Sequence, residues 1–147
     1  MVEPGAETRP TSPFVELIGG RLDELREGYV RMSLTLEPHH TNPNGVMHGG
    51  VITTMMDSAL GAALGALRGE AARRDPHATV EMNASFLSGA RPGDRIVVEG
   101  RVIRMGKTIA FGEAEARRAD RSADPRPNGD TLIAKGRLTF AIRKRGE

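Results

Sequence analysis

Hydrophobic and polar positions change their spacing several times along this chain, and the changes mark its elements. From Arg21 the period is two. Leu22 and Leu25 sit in a first short strand that turns near Glu27-Gly28, and Tyr29 to Leu36 then alternates with Val30, Met32, Leu34 and Leu36 on one face. Pro38 to Met47 (PHHTNPNGVM) is dense in turn formers. From Val51 to about Leu67 the chain reads VITTMMDSALGAALGAL, with no proline and one charge, Asp57. A helix this apolar on nearly every side is expected inside a protein rather than on its surface. Gly61, Ala62 and Gly65 let another backbone come close to it. Arg68 to Pro76 reads as a charged return loop.

Four strand-like segments follow. Ala78, Val80, Met82, Ala84 and Phe86 alternate in the first, and Arg91-Pro92-Gly93-Asp94 turns into Ile96, Val98 and Val102. Met105-Gly106-Lys107 turns into a strand from Thr108 to about Arg117, and the last strand runs from Leu132 to Ile142. Between these two lies a polar segment, Ala119 to Asp130, with the composition of a long hairpin loop. Ahead of all this, Ser12-Pro13 places a capping hydroxyl before a proline at the first position of a short helix through Phe14, Leu17 and Ile18, which stops at Gly19-Gly20. The order is short helix, two strands, long helix, four strands. A curved antiparallel sheet wrapped around one apolar helix accounts for it. A helix lying on a flat sheet would keep a polar outer stripe. This one nearly lacks the stripe, so a second surface must cover it.

Composition narrows the picture further. At 147 residues the chain is expected to be one domain, 12–147, behind a disordered lead-in, 1–11, rich in Pro, Thr and Glu. The net charge is +2 with both signs interspersed, and there is no Trp and one Tyr, so nucleic acid is not the expected partner. Cysteine is absent, which removes disulfides and thiolate metal sites. His39, His40, His48 and His77 do not make a metal spacing, so no metal is inferred. Gly106-Lys107-Thr108 is not a P-loop, because residue 101, where its first glycine would fall, is arginine. The N-terminus lacks the basic start and apolar run of a signal peptide, and the long helix carries a carboxylate within fewer than ~20 apolar residues. A cytoplasmic protein without a membrane span is the expectation.

The chemistry concentrates where the long helix begins. The first amides of a helix have no intrahelical partner and point along its positive end. Gly49 and Gly50 behind His48 leave room for a carbonyl to approach them, as an oxyanion site requires; the alternative is a tight loop-to-helix junction. Asp57 in so apolar a helix must be hydrated, paired or functional, because burying a lone carboxylate costs several kcal/mol; a structural acid at an interface is the alternative. Gly49 and Asp57 are eight residues apart, about 12 Å along one helix axis. A reacting carbon must lie about 3 Å from nucleophile and oxyanion donor alike, so the two serve one site only if they come from different subunits. If both act in one site, an obligate dimer with two composite sites is expected.

HTNPNGVMHGG (His40 to Gly50), Asp57 nine residues after His48, TVEMNASFLSGARPGD (Thr79 to Asp94), GRVIRMGKTIAF (Gly100 to Phe111) and LIAKGRLTFAI (Leu132 to Ile142) together resemble the hotdog-fold thioesterases, in particular the phenylacetate-pathway (PaaI-type) branch that hydrolyses acyl-coenzyme A thioesters. The resemblance implies an α+β hotdog fold and an acyl-CoA thioesterase that consumes no cofactor, coenzyme A arriving as part of the substrate. It implies homodimers that often associate further, giving a homodimer or a homotetramer. Carried over by position, the Gly49 amide polarises the carbonyl, Asp57 is nucleophile or general base, Asn42 positions water or thioester, and Thr79 holds the attacking water. His48 shapes the turn and contacts substrate, with Gly50 and Asn44 beside it. Read without the resemblance, Asn42 and Asn44 are equally turn formers and Thr79 an ordinary strand threonine. Phe14, Leu17, Met55, Met56 and Phe86 line an acyl pocket or belong to the core, and Arg91, Arg104, Lys107, Arg137 and Arg143 meet coenzyme A phosphates or only solvent. A hotdog module that binds acyl-CoA without turnover is the alternative function.

Overall fold

The computed structural model describes residues 11–119 and 130–144. All of the lead-in but Thr11, nearly all of the Ala119–Asp130 loop and the end of the basic tail lie outside the described residues. The elements in chain order are α1 (Pro13–Leu17), β1 (Arg21–Arg26), β2 (Tyr29–Thr35), a 3₁₀ turn (Pro38–His40), α2 (Gly49–Arg68), α3 (Glu70–Arg74), β3 (His77–Phe86), β4 (Arg95–Met105), β5 (Ile109–Ala119) and β6 (Asp130–Ile142). The strands form one antiparallel sheet in the order β1-β2-β4-β5-β6-β3, open at both ends. Register shifts interrupt the β1–β2, β3–β6, β4–β5 and β5–β6 ladders, and bulges of this kind bend a strand and increase its twist. The curved sheet lies against α2, as expected for an α+β hotdog fold, without closing around it.

α2 sits deep because the floor beneath it lacks side chains. A Cβ added at Gly100 or Gly112 would stand 2.9 Å from Leu60 Cδ2, and one at Gly136 would stand 2.7 Å from Met56 Sδ. Ala110, Ala114, Ala116 and Ala134 complete this floor, all fully or almost fully buried. Into it α2 presses Ile52, Met55, Met56, Ala59, Leu60, Ala63 and Leu64. Burial of each large side chain contributes roughly 1.5–3 kcal/mol. Val30, Met32, Leu34 and Leu36 meet the helix from the sheet, as their alternation predicts. Met55 and Met56 are therefore core.

Four expectations are revised. α2 runs for 20 residues rather than about 17, which by length and composition is enough to cross a membrane; its packing against the sheet explains the apolar character instead. Its opposite flank, with Asp57, Ser58, Gly61, Ala62 and Gly65, is partly open, and Asp57 is exposed rather than buried. The charged return contains a turn and a half of helix, α3. α1 forms where the Ser12 hydroxyl accepts the Val15 amide at 3.2 Å, but it buries only Val15 and leaves Phe14 and Leu17 exposed.

Candidate functional site

The loop before α2 is rigid through its own hydrogen bonds. The Asn42 carbonyl accepts from Gly45 N at 2.9 Å, and Gly45 takes the left-handed φ of +73° this turn needs. The Asn42 side-chain oxygen accepts from Asn44 N at 2.9 Å and Val46 N at 3.4 Å. Asn42 is thus a turn former through Oδ1, while its side-chain Nδ2 makes no hydrogen bond among the described residues. His40 braces the loop from beneath: buried, it accepts Glu37 N at Nδ1 (2.9 Å), so Nε2 carries the hydrogen it donates to the Ile18 carbonyl (2.6 Å). Bonds of 2.8 Å from Met47 N to the Ala90 carbonyl and from His48 N to the His40 carbonyl fix the entrance to α2.

His48 is the N-cap of α2. Its Nδ1 accepts the Gly50 amide at 2.8 Å, which satisfies one of the orphan donors of the first turn. The Gly49 amide has no partner among the described residues. Of the two glycine amides, 50 is occupied and 49 is available. Neither glycine needs a left-handed backbone; each leaves room for a ring. A Cβ on Gly49 would stand 3.2 Å from the Phe86 ring, and one on Gly50 2.9 Å from His48 Nδ1.

Asn42 and Gly49 share a cleft of about 480 Å³ with Met47, Ile52, Phe86, Leu87, Ser88 and Gly89. Ser88 and Gly89 carry no sequence signal for this position; the β3–β4 connection brings them there. Asn44 is exposed on the turn and does not line the cleft. Arg137 lies elsewhere, in a groove on the outer sheet face with Arg101, Lys135 and several glutamates.

Asp57 and Thr79 form a second cluster. Thr79 Oγ1 donates to Asp57 Oδ1 at 2.6 Å, a short bond to a carboxylate. Strict alternation along β3 would send Thr79 to the face opposite Met82, away from the helix. The register shift between Thr79 and Glu81 adds Val80 as an unpaired residue, so Thr79 opposite Phe140 and Met82 opposite Leu138 share the helix face. The bulge aims the hydroxyl. Gly49 and Asp57 lie on one unbroken helix, about 12 Å apart along its axis, so one chain does not bring the two clusters together.

A sequence model of the thioesterase superfamily matches residues 44–123, which include Gly49, Asp57 and Thr79. Acyl-coenzyme A thioesterase 13 of mouse is 32% identical over 106 residues, 72% of this chain and 67% of the mouse protein. Its human counterpart is 36% identical over 84 residues, and the match spans 57% of the human protein. A conserved Pseudomonas aeruginosa protein of solved structure superposes with a TM-score of 0.76 at 29% identity, over 95% of this chain and 99% of that one. The PaaI protein of the E. coli phenylacetic acid degradation operon has the same fold, with a TM-score of 0.74 at 16% identity over 89% of this chain and 84% of that one. With the helix-on-sheet architecture, these matches establish that the chain belongs to the thioesterase superfamily, a family of thioester hydrolases, and has its hotdog fold.

Proposed function

We propose that this protein is an acyl-CoA thioesterase that hydrolyses an acyl- or aryl-CoA to free acid and coenzyme A at two composite sites in a homodimer. The observation that carries the reading is the free Gly49 amide and the Asp57–Thr79 pair on one straight helix, too far apart to meet in one chain. In each site the Gly49 amide of one subunit, at the positive end of α2, receives the thioester oxygen as it becomes an oxyanion. Asp57 of the other subunit attacks the carbonyl carbon or takes the proton of an attacking water, with Thr79 orienting it. The carbon–sulfur bond breaks and coenzyme A leaves as a thiolate that takes up a proton. On the water route that proton is the one Asp57 took, and the acid is released directly. On the direct route water hydrolyses the anhydride formed on Asp57 to the acid and restores the carboxylate. Asn42, with its Nδ2 free, steadies the thioester or water, and His48 keeps the helix mouth in shape.

Two features support a dimer. β3 is an edge strand, so its outer backbone groups have no strand partner among the described residues. Beside it the half-open flank of α2 presents Asp57 and the small residues Gly61, Ala62 and Gly65. The similarity to acyl-coenzyme A thioesterase 13 supports the substrate class. Pairing of two such dimers into a tetramer belongs to the same proposal.

The test is thiol release from a panel of aryl- and fatty-acyl-CoAs, with subunit exchange between Asp57→Ala and Gly49→Pro, each inactive alone. A heterodimer keeps one site with both residues intact, so random exchange should restore about a quarter of wild-type activity. No recovery would refute shared sites. Binding without thiol release by the wild type would favour a non-catalytic acyl-CoA-binding module.

A further inference from the structure

We propose that His77 is a positioning residue for the Asp57–Thr79 pair, because the bond from its Nε2–H to the Gly61 carbonyl fixes the start of β3 against α2 one turn beyond Asp57. The inference rests on the reading of Asp57 and Thr79 as working groups. Thr79 lies where β3 is least constrained. β3 has a single strand neighbour, β6, and the ladder between them breaks immediately after Thr79. On the other side of Thr79, His77 pairs with Ile142 and Ala78 with Ala141, and beyond them Arg143 N donates to the Pro76 carbonyl at 2.9 Å. A second tether to the helix is needed to hold the hydroxyl on Asp57, and His77 supplies it.

Gly61 is four residues after Asp57 and so lies on the same face of α2. His77 is two residues before Thr79 on β3. The bonds Thr79–Asp57 (2.6 Å) and His77–Gly61 (3.0 Å) are therefore successive rungs between one strand and one helix. The ring's own state is fixed by Arg68, whose Nη1 lies 2.9 Å from His77 Nδ1. A guanidinium can only donate, so Nδ1 holds a lone pair and the ring hydrogen is on Nε2, facing Gly61. Arg68 is held in turn by the carbonyls of Asp75 (2.5 Å) and Ala71 (3.4 Å). From β6, Phe140 meets the imidazole edge-on at 5.7 Å between centroids.

The charged group against the ring is Arg68, from α2; β6 contributes the apolar Phe140, and the α3 segment contributes carbonyls through Arg68. Burial pushes the His77 pKa below the ordinary histidine value, the Gly61 carbonyl opposes this, and the Arg68 charge adds to the lowering. Protonation at Nδ1 would set two cations N–H to N–H. Although the Nε2–H bond to Gly61 favours the charged ring, repulsion from Arg68 would push the ring from its place at the start of β3. Turnover should therefore fall in acid as His77 gains its proton, at a pH below the usual histidine range.

Two conservative variants separate positioning from bulk. Asparagine keeps an acceptor near the Nδ1 position and loses the reach to Gly61; glutamine keeps a donor near Nε2 and cannot gain a proton. With an acyl-CoA that the wild type hydrolyses, His77→Asn should lower kcat about 10- to 100-fold with KM little changed, while His77→Gln stays near wild type at neutral pH. His77→Gln should also lose the part of the acid limb that His77 supplies, and Arg68→Met should move that limb to higher pH. Asp57→Asn serves as the control: if it keeps full turnover, the site reading itself fails. If it is inactive while His77→Asn folds and keeps wild-type kcat, or the two His77 variants fall equally, the inference about His77 is overturned alone. Should His77→Asn not fold, pH profiles of His77→Gln and wild type decide, and superimposable profiles overturn the proposal.

Discussion

Gly49 and Gly50 differ in what an added methyl group would disturb. At 49 it meets the Phe86 ring, which is 54% exposed and free to swing aside. Gly49→Ala should therefore keep the fold but reshape the cleft, lowering kcat/KM by about tenfold with little change in melting temperature. At 50 it meets the capping ring of His48, so Gly50→Ala should cost about 1 kcal/mol of stability, read by thermal unfolding. Asp57→Asn leaves an oxygen for the Thr79 hydroxyl and should abolish thiol release without unfolding the chain. A different acid reports on stability alone. Arg117 and then Lys135 hold Glu115 below the usual carboxylate range against the opposing effect of burial. Because the folded pKa is the lower one, this stabilisation is complete above the unfolded value and is lost as pH falls through the folded one. Melting curves of wild type and Glu115→Gln should thus differ slightly near neutral pH and converge in acid. Spacing and resemblance single out Asn42, His48, Gly49, Asp57 and Thr79, and the fold brings Asn42 to Gly49 and Thr79 to Asp57. That His48 takes the Gly50 amide and spares Gly49 is not legible in the sequence, because a cap depends on a side-chain rotamer.

Among the elements, β3 shows where periodicity misleads. Ala78 and Val80 continue the apolar alternation of Met82, Ala84 and Phe86, and nothing in the letters marks the inserted residue. An extra residue shifts the phase without changing composition, and here it moves Thr79 onto the helix side. Deleting Val80 should restore the plain ladder with Thr79 still opposite Phe140 on the helix side, so the strand should form and thiol release should survive; circular dichroism and the thiol assay together check this. β2 carries no such break in its pairing with β4, and its alternation predicts the buried face correctly. α3 is five residues long, too short for a helical period to show. Gly100, Gly112 and Gly136 stand in three different strands, and only the folded sheet shows them under Leu60 and Met56 as one seat.

For the whole molecule, the sheet order could not be counted off the sequence, yet it decides what is left open. β3 follows α2 in the chain and ends at the edge, beside the flank of α2 that carries Asp57. Val80, 61% exposed on that edge, is the residue to charge: Val80→Lys should weaken self-association, seen by sedimentation, and lower activity in proportion. An active monomer would contradict shared sites. The seat of α2 has a consequence of another kind. It is made of what three glycines lack, so it can be spoiled only by addition, and every amino acid other than glycine is an addition. Random mutagenesis followed by selection for folded chains should leave these three positions nearly unchanged, while Leu60 and Met56 above them exchange with other side chains of similar volume.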